Sequence, residues 1–102
     1  MEIPEHVDRV LSVVELIPPG HVMSYGAVAD VVRERGGTAS ARSVGTVMAR
    51  YGGAVPWHRV VNSAGRLPPG HERRARAALD AEGVPFRGER VDMRAAAWYP
   101  ED

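Results

Sequence analysis

The sequence predicts one mostly α-helical domain with small β elements, and three observations support this fold class. Apolar residues recur at three- and four-residue spacing in several segments, which is the period of an amphipathic helix. Glycine- and proline-rich turns separate these segments, and the extended stretches between them are short. A chain of 102 residues is long enough for one modest core, so we expect a single domain over residues 1–102.

The first helix is predicted over about residues 4–16, because Pro4 suits a helix start and apolar residues follow at helical spacing. The Pro-Pro-Gly run at 18–20 ends this helix. Residues 21–23 should form a short extended piece.

Two further helices are predicted over about residues 25–35 and about 40–50. Ser24 can cap the first of them, and either Thr38 or Ser40 can cap the second. A tight turn at Gly36-Gly37 separates the two. Short helices joined in this way, the second with exposed arginines, are typical of a helix-turn-helix.

The second half of the chain should begin with an extended segment over 55–61, followed by loops at 62–65 and 66–70. A basic helix is predicted over about 71–82, with Gly83 as its terminator. Residues 84–91 should form a short hairpin. We expect three residues beyond it to pack this tail onto the body, namely Met93, Trp98 and Tyr99.

The formal net charge is zero, but the charges are unevenly distributed along the chain. Residues 36–76 carry a net charge of +6, and the segments before and after each carry −3. Such asymmetry indicates an anionic partner. The central segment opposes Glu72 with seven arginines: Arg42, Arg50, Arg59, Arg66, Arg73, Arg74 and Arg76.

Composition argues against disulfide-bonded, thiol-dependent, metal-binding and membrane-spanning proteins. The sequence contains no cysteine, which excludes disulfides and thiolate chemistry within it. The four histidines lack the spacing of a zinc site, so neither a metal nor another cofactor is expected. No apolar run is long enough to cross a bilayer, and we expect a cytoplasmic, nucleoid-associated protein without membrane contact.

Residues 56–61, Pro-Trp-His-Arg-Val-Val, resemble the active-site stretch of the O6-alkylguanine-DNA alkyltransferases, with Trp57 in place of the acceptor cysteine. Three further segments agree in order: Ser24-Tyr25-Gly26 with Ala29, residues 41–45, and Ala81-Glu82-Gly83. The alkyltransferase-like subfamily is the most similar, since its members carry Trp or Ala at that position and lack the N-terminal domain. The resemblance implies a winged helix-turn-helix-like DNA-binding domain.

The resemblance also implies a function. Members of the family bind the minor groove of double-stranded DNA and turn an alkylated guanine out of the helix. Those without the cysteine hold the lesion, bend the DNA and attract nucleotide excision repair proteins. We therefore expect a non-enzymatic damage sensor, a monomer whose binding weakens steeply with salt.

Trp57 is the residue on which this interpretation depends. Alkyl transfer from guanine needs a strong nucleophile, whereas an indole offers a hydrogen-bond donor and a flat stacking face. The predicted lesion pocket comprises Tyr25, Trp57, Val60 beneath the base, and Gly70 in the lid loop. Some relatives place a basic residue near this loop, whereas this sequence has Gly70-His71 there, with Arg66 and Arg73 a few residues away.

For Arg42, the resemblance implies a finger that fills the gap left by the turned-out base; the alternative is a surface arginine on a phosphate. Tyr25 would push the phosphate of the lesion aside, or else cap the edge of the core. The predicted DNA contacts are completed by Ser43, Arg50 and Arg66.

The resemblance assigns His58 and Glu82 to a relay that activates the cysteine thiol in relatives. Since there is no thiol here, we expect this pair to be structural and to tie the site to the last helix. Arg59 should anchor the loop in the same way, through carboxylate or carbonyl contacts.

Two other functions stay open from the sequence. One is a helix-turn-helix regulator that reads a defined DNA sequence, usually as a dimer. The other is a cysteine-independent hydrolase or glycosylase that uses water with His58 and Glu82.

Overall fold

The computed structural model describes residues 4–101 and shows the mostly helical architecture that the sequence predicts. Four two-residue strands form two small sheets, and two single-turn 3₁₀ helices lie at Gly52–Ala54 and Trp57–Arg59. The elements follow in the order α1 (Glu5–Val14), β1 (Met23–Ser24), α2 (Tyr25–Glu34), α3 (Ala41–Tyr51), β2 (Val60–Val61), α4 (Glu72–Ala81), β3 (Phe86–Arg87), β4 (Arg90–Val91) and α5 (Met93–Ala96).

The core consists of two apolar clusters. Helices α1, α2 and α3 enclose the larger cluster, to which each contributes valines at three- and four-residue spacing. The smaller cluster lies under α4 and the β3–β4 hairpin, around Leu79. The parallel pairing of β1 with β2 joins them, because Met23 and Val60 belong to the first cluster and Val22 and Val61 to the second.

The turn between α2 and α3 has the geometry that a helix-turn-helix requires. Gly36 adopts φ +88°, and the amide of Gly37 donates to the carbonyl of Val32 at 2.9 Å, which closes α2 with a Schellman motif. Ser24 caps α2, as predicted. Of the two candidate caps for α3 the structure selects Ser40, which forms a capping box with Ser43.

The C-terminal part forms the wing. Gly83, at φ +80°, ends α4 as predicted, and the chain returns through the β3–β4 hairpin. The guanidinium of Arg76 lies 3.7 Å from the centre of the Phe86 ring and donates to the carbonyl of Gly88 at 3.0 Å. These two contacts attach the hairpin to α4, and an ion pair with Asp80 one turn along the same helix holds the Arg76 side chain in place.

Two expectations about these elements need correction, and one helix has no counterpart among the predicted elements. Residues 55–61 are not continuously extended, because a 3₁₀ turn at Trp57–Arg59 interrupts them before β2. Tyr99 is 42% exposed and belongs to neither core cluster, whereas Met93 and Trp98 do pack against the core clusters. Helix α5 was not predicted. Within residues 4–101, no helix combines the length and apolar character that crossing a bilayer demands.

We expect Ser40→Ala to lower the free energy of unfolding by about 1 kcal/mol, since the side chain satisfies an amide at the start of α3. Urea denaturation monitored by circular dichroism measures this change. Ser63→Ala, at an exposed turn position, serves as the control and should change stability by less than about 0.5 kcal/mol. Equal effects of the two substitutions would contradict the capping role.

Candidate nucleic-acid interface

A cleft of about 530 Å³ opens between α3, the two 3₁₀ turns, the loop before α4 and the start of α4. Its volume lies in the range of sites that enclose a small planar molecule. Most of its wall is apolar or glycine, and only one lining residue carries a permanent charge. The lining residues are Tyr25, Gly45, Met48, Ala49, Gly52, Gly53, Trp57, Pro68, Pro69, His71 and Arg74.

Local backbone geometry turns Trp57 toward this cleft. Pro56 has φ −71° and ψ 68°, and the amide of Trp57 donates to the carbonyl of Val55 at 2.6 Å, which together make an inverse γ-turn. The proline ring fixes φ near this value in advance. Gly52 faces the tryptophan, and a Cβ atom there would lie only 3.5 Å from that of Trp57 and 3.2 Å from Met48 Cε.

Three side chains contact the indole ring and hold its orientation. The rings of His58 and His71 meet it edge-on, with centroids 6.0 and 5.7 Å away. The guanidinium carbon of Arg74 lies 5.1 Å from the ring centroid, within cation–π distance. The sequence identifies Arg74 only as one of the seven arginines of the basic segment. Its position three residues after His71 on one face of α4 is the signal that could have identified it.

Tyr25 lines the cleft from the first turn of α2 and also packs against the larger core cluster. The core contact is therefore confirmed, whereas the predicted contact of Tyr25 with the phosphate of the lesion stays a prediction. Burial raises the pKa of its phenol above the ordinary value of 10.0, so the hydroxyl stays protonated at neutral pH and can donate a hydrogen bond.

The exposed face of α3 carries Arg42. Gly45 and Ala49 follow it at three- and seven-residue spacing, so all three lie on one face of the helix, and the latter two line the cleft. Arg42 is exposed and forms no ion pair within residues 4–101. The structure therefore places a free guanidinium one turn from the lining residues of α3.

The other predicted site residues are distributed differently. Arg50 is exposed in the last turn of α3, and Arg66 lines a second groove rather than the cleft. The Ser43 hydroxyl accepts from the amide of Ser40 at 2.9 Å, so this oxygen is occupied in capping α3.

Two of the residues predicted for the lesion pocket are wrong. Val60 is only 1% exposed within the core, and Gly70 lies outside the lining, although Pro69 and His71 beside it belong to it.

A cluster of hydrogen bonds around Glu82 supports the floor of the site. The Nε2 atom of His58 lies 2.8 Å from Glu82 Oε2, and Arg59 donates through Nη2 to Oε2 at 2.8 Å and through Nε to Oε1 at 3.0 Å. The amide of Gly20 also donates to Oε1 at 3.0 Å. Arg59 Nη1 continues to the carbonyl of Ile17 at 2.9 Å.

These donors lower the pKa of Glu82 to about 2, chiefly through the hydrogen bond from Arg59. The carboxylate is therefore ionised at neutral pH, and the His58 Nε2 atom must donate to it. The predicted structural link between the site segment and the last helix is confirmed, as are the carboxylate and carbonyl contacts predicted for Arg59.

The basic segment separates into inward-facing and outward-facing arginines. Arg59 and Arg76 form ion pairs with Glu82 and Asp80. The other five are exposed and unpaired within the described part of the chain: Arg42, Arg50, Arg66, Arg73 and Arg74. No group of three His, Asp or Glu side chains among residues 4–101 is placed to hold a metal ion.

Comparison with known proteins identifies the family. Residues 5–84 match the model of the 6-O-methylguanine DNA methyltransferase DNA-binding domain. The chain belongs to this family. The match with the methyltransferase DNA-binding domain runs from α1 to the end of α4 and includes every residue of the cleft and of the Glu82 cluster.

Two relatives illustrate the similarity in sequence. The "DNA base-flipping protein" of Escherichia coli (strain K12) is 41% identical over 95 residues, which cover 88% of this chain and 71% of the relative. "Alkyltransferase-like protein 1" of Schizosaccharomyces pombe is 37% identical over 90 residues, covering 82% of this chain and 81% of the relative.

Solved structures agree with the fold. S. pombe Atl1 in complex with damaged DNA containing O6-carboxymethylguanine matches with a TM-score of 0.78 and 32% identity, over 98% of this chain and 100% of that one. Mycobacterium tuberculosis OGT in complex with DNA matches with a TM-score of 0.66 and 31% identity, over 80% of this chain. This chain corresponds to about half of that longer protein, since 51% of it is covered.

The low pKa of Glu82 makes part of the stability pH-dependent. A carboxyl with a pKa of about 2 in the folded state and 4.5 when unfolded stabilises the fold above pH 4.5 and loses this contribution as the pH falls toward 2. We expect Glu82→Gln to cost about 2–3 kcal/mol at pH 7, and less as the pH falls below 4.5.

Urea unfolding of both proteins between pH 7 and pH 3 measures this difference. Glu89→Gln, at an exposed position, is the matched control and should differ little from the parent protein at any of these pH values. A difference between parent and Glu82→Gln that stays constant down to pH 3 would show that the carboxylate charge is not stabilising.

Proposed function

We propose that this protein binds duplex DNA containing an O6-alkylated guanine, turns the damaged base into the cleft, and holds it there without removing the alkyl group. The observation that carries the proposal is the position of Trp57. Its indole forms part of the cleft wall, at the motif position where the alkyltransferases that the sequence resembles carry their acceptor cysteine.

The chemistry of the cleft favours binding over alkyl transfer. The sequence contains no cysteine, and the indole nitrogen donates a hydrogen bond but has no lone pair available for attack. The Nε2 atom of His58 is engaged with the ionised Glu82 carboxylate. The cluster that would activate a thiol therefore supports the Trp57 turn instead.

The same cleft offers three kinds of contact to a purine. Trp57 supplies an aromatic face, the Tyr25 phenol supplies a donor, and the Arg74 guanidinium supplies the permanent positive charge. Two similar proteins support this assignment through what is stated of them: the E. coli relative is named a base-flipping protein, and the S. pombe Atl1 structure holds damaged DNA.

Arg42 is proposed to enter the base stack and fill the gap. It is exposed on the face of α3 that borders the cleft, and its planar guanidinium can both stack and donate to an orphaned base. Unstacking and unpairing cost a few kcal/mol, and less for a base that already pairs badly. Stacking on Trp57 and phosphate contacts from exposed arginines would offset this cost.

The bound complex is proposed to act as a signal rather than a product. We infer that the protein binds as a monomer, one per lesion, and that the bent and occupied duplex is then processed by nucleotide excision repair. Incision of a lesion-bearing plasmid by purified excision proteins, with and without this protein, would test the second step separately from binding.

Trp57→Ala should weaken binding to a duplex with one O6-methylguanine by about 5- to 150-fold, because stacking of one base on an aromatic ring contributes about 1–3 kcal/mol. Binding to the undamaged duplex should change little. Fluorescence anisotropy titration measures both affinities, and mass spectrometry of protein and DNA afterwards should find the methyl group still on the guanine.

Tyr99→Ala removes an exposed aromatic ring that does not line the cleft, and it should bind both duplexes like the parent protein. Equal affinity of the parent protein for intact and damaged DNA, or a methyl adduct on the polypeptide, would refute the proposal. Release of free base or alcohol would favour the hydrolytic alternative.

Arg42→Lys should separate a finger from a phosphate contact. Lysine keeps the positive charge but loses the planar group, so a phosphate contact would survive the change while stacking in the helix would be lost. We expect at least a tenfold loss of affinity for the damaged duplex, together with reduced fluorescence of a 2-aminopurine placed next to the lesion. Arg50→Lys is the control on the same helix and should retain both signals.

A further inference from the structure

A second groove of about 620 Å³ lies on the opposite side of α4 from the cleft. His71 and Arg74, three residues apart, face the cleft, whereas Arg73 and Arg76, also three apart, face this groove. Arg66 and the hairpin residue Arg90 complete its basic lining. The first turns of α4 therefore separate two sites with different chemistry, one mostly apolar and the other rich in guanidinium groups.

The guanidinium groups of this groove are largely unoccupied. Arg76 is committed to Asp80, Gly88 and the Phe86 ring. Arg66, Arg73 and Arg90, in contrast, form no ion pair within residues 4–101, although Glu72 and Glu89 line the same groove. Three free cations in an open groove favour an anion that several of them can contact at once.

The backbone that carries these arginines is fixed. The Asn62 Oδ1 atom accepts from the amide of Arg66 at 2.8 Å, and the amide of Val91 donates to the carbonyl of Gly65 at 2.9 Å. Packing there is close, because a Cβ atom on Gly65 would lie 2.4 Å from the carbonyl oxygen of Val91. Arg66 and Arg90 therefore project from a turn and a strand that are locked side by side.

We propose that this groove binds the sugar–phosphate backbone of the duplex next to the lesion, as a second DNA contact separate from the helix-turn-helix and the cleft. The inference rests on the proposed function for the location of the DNA. An α-helix with its side chains is about 10–12 Å wide, and one DNA strand advances about 3.4 Å per nucleotide. The groove thus corresponds to phosphates about three nucleotides from the turned-out base.

Proximity to the cleft favours DNA over an acidic protein segment. Arg73 and Arg74 are neighbours in sequence and line the groove and the cleft on opposite sides of the same helix. A strand that passes its damaged base into the cleft therefore has to cross only the width of α4 to meet this groove. The phosphates of a duplex also form a regular array, which suits guanidinium groups held on a fixed backbone.

Salt dependence of binding tests the proposal. The double variant Arg73→Gln/Arg90→Gln should make the negative slope of log K against log salt concentration shallower by about 2, since each phosphate contact contributes about −0.9. The double variant Arg87→Gln/Arg94→Gln removes the same charge from exposed positions outside the groove, and Arg87 pairs directly with Arg90 across the hairpin. The salt slope of this control should change by no more than half as much as that of Arg73→Gln/Arg90→Gln. Glu89→Gln should strengthen binding about threefold, because it removes an exposed negative charge from the lining of the groove.

Neutral methylphosphonate linkages locate the contact. Placed two to four nucleotides from the lesion on either side, they should weaken binding of the parent protein on one side only, and should have no further effect on Arg73→Gln/Arg90→Gln. Equal slopes for the two double variants would overturn the proposal. So would an unchanged affinity and slope for Arg73→Gln/Arg90→Gln, an outcome that would point to an acidic protein partner.

Measurements on undamaged and damaged duplexes distinguish this inference from the proposed function. The ratio of the two affinities reports on the cleft, whereas the salt slope on either duplex reports on the groove. A normal slope change with no lesion preference would refute the proposed function and leave the groove assignment standing. A strong lesion preference with no slope change would refute the groove assignment and leave the proposed function standing.

Discussion

The ionised carboxylate of Glu82 is the point on which the site depends. It accepts hydrogen bonds from His58, Arg59 and the amide of Gly20, and Arg59 extends the network to the carbonyl of Ile17. One side chain at the end of α4 therefore connects that helix to the Trp57 turn and to the loop after α1. Because its side chain is only 17% exposed, these contacts are less screened than a surface ion pair.

The arginines of the basic central segment, residues 36–76, form two groups with different roles. Arg59, paired with Glu82, holds the site turn in place, and Arg76 holds the wing through the Phe86 ring and the carbonyl of Gly88. Among the exposed, unpaired arginines, Arg42 and Arg74 lie beside the cleft on α3 and α4, and others line the groove on the far side of α4, where a polyanion can reach them. A rigid apolar cleft among free cations suits a ligand that combines a planar base with a phosphate backbone.

Much of the fold follows from local signals in the sequence. The four predicted helices lie within two residues of their observed bounds, because valine periodicity, the serine caps at Ser24 and Ser40 and the glycine terminators are determined by neighbouring residues. The site motif also follows from the sequence. Trp57 and Tyr25 line the cleft, and the Glu82 cluster links the site segment to α4, as the motif predicts. Helix α5 was missed because a four-residue helix has too few positions to show a period.

The sequence alone determined the family motifs, the absence of a thiol and the amphipathic helices, since each depends on residue identity or on neighbours one helical turn apart. Only the tertiary structure decided which side chains line the cleft. It buried Val60 in the core and brought Arg74 to the ring of Trp57. It also separated Arg73 from Arg74 across α4. Such contacts join segments that are distant along the chain, and no local pattern encodes the distance between them.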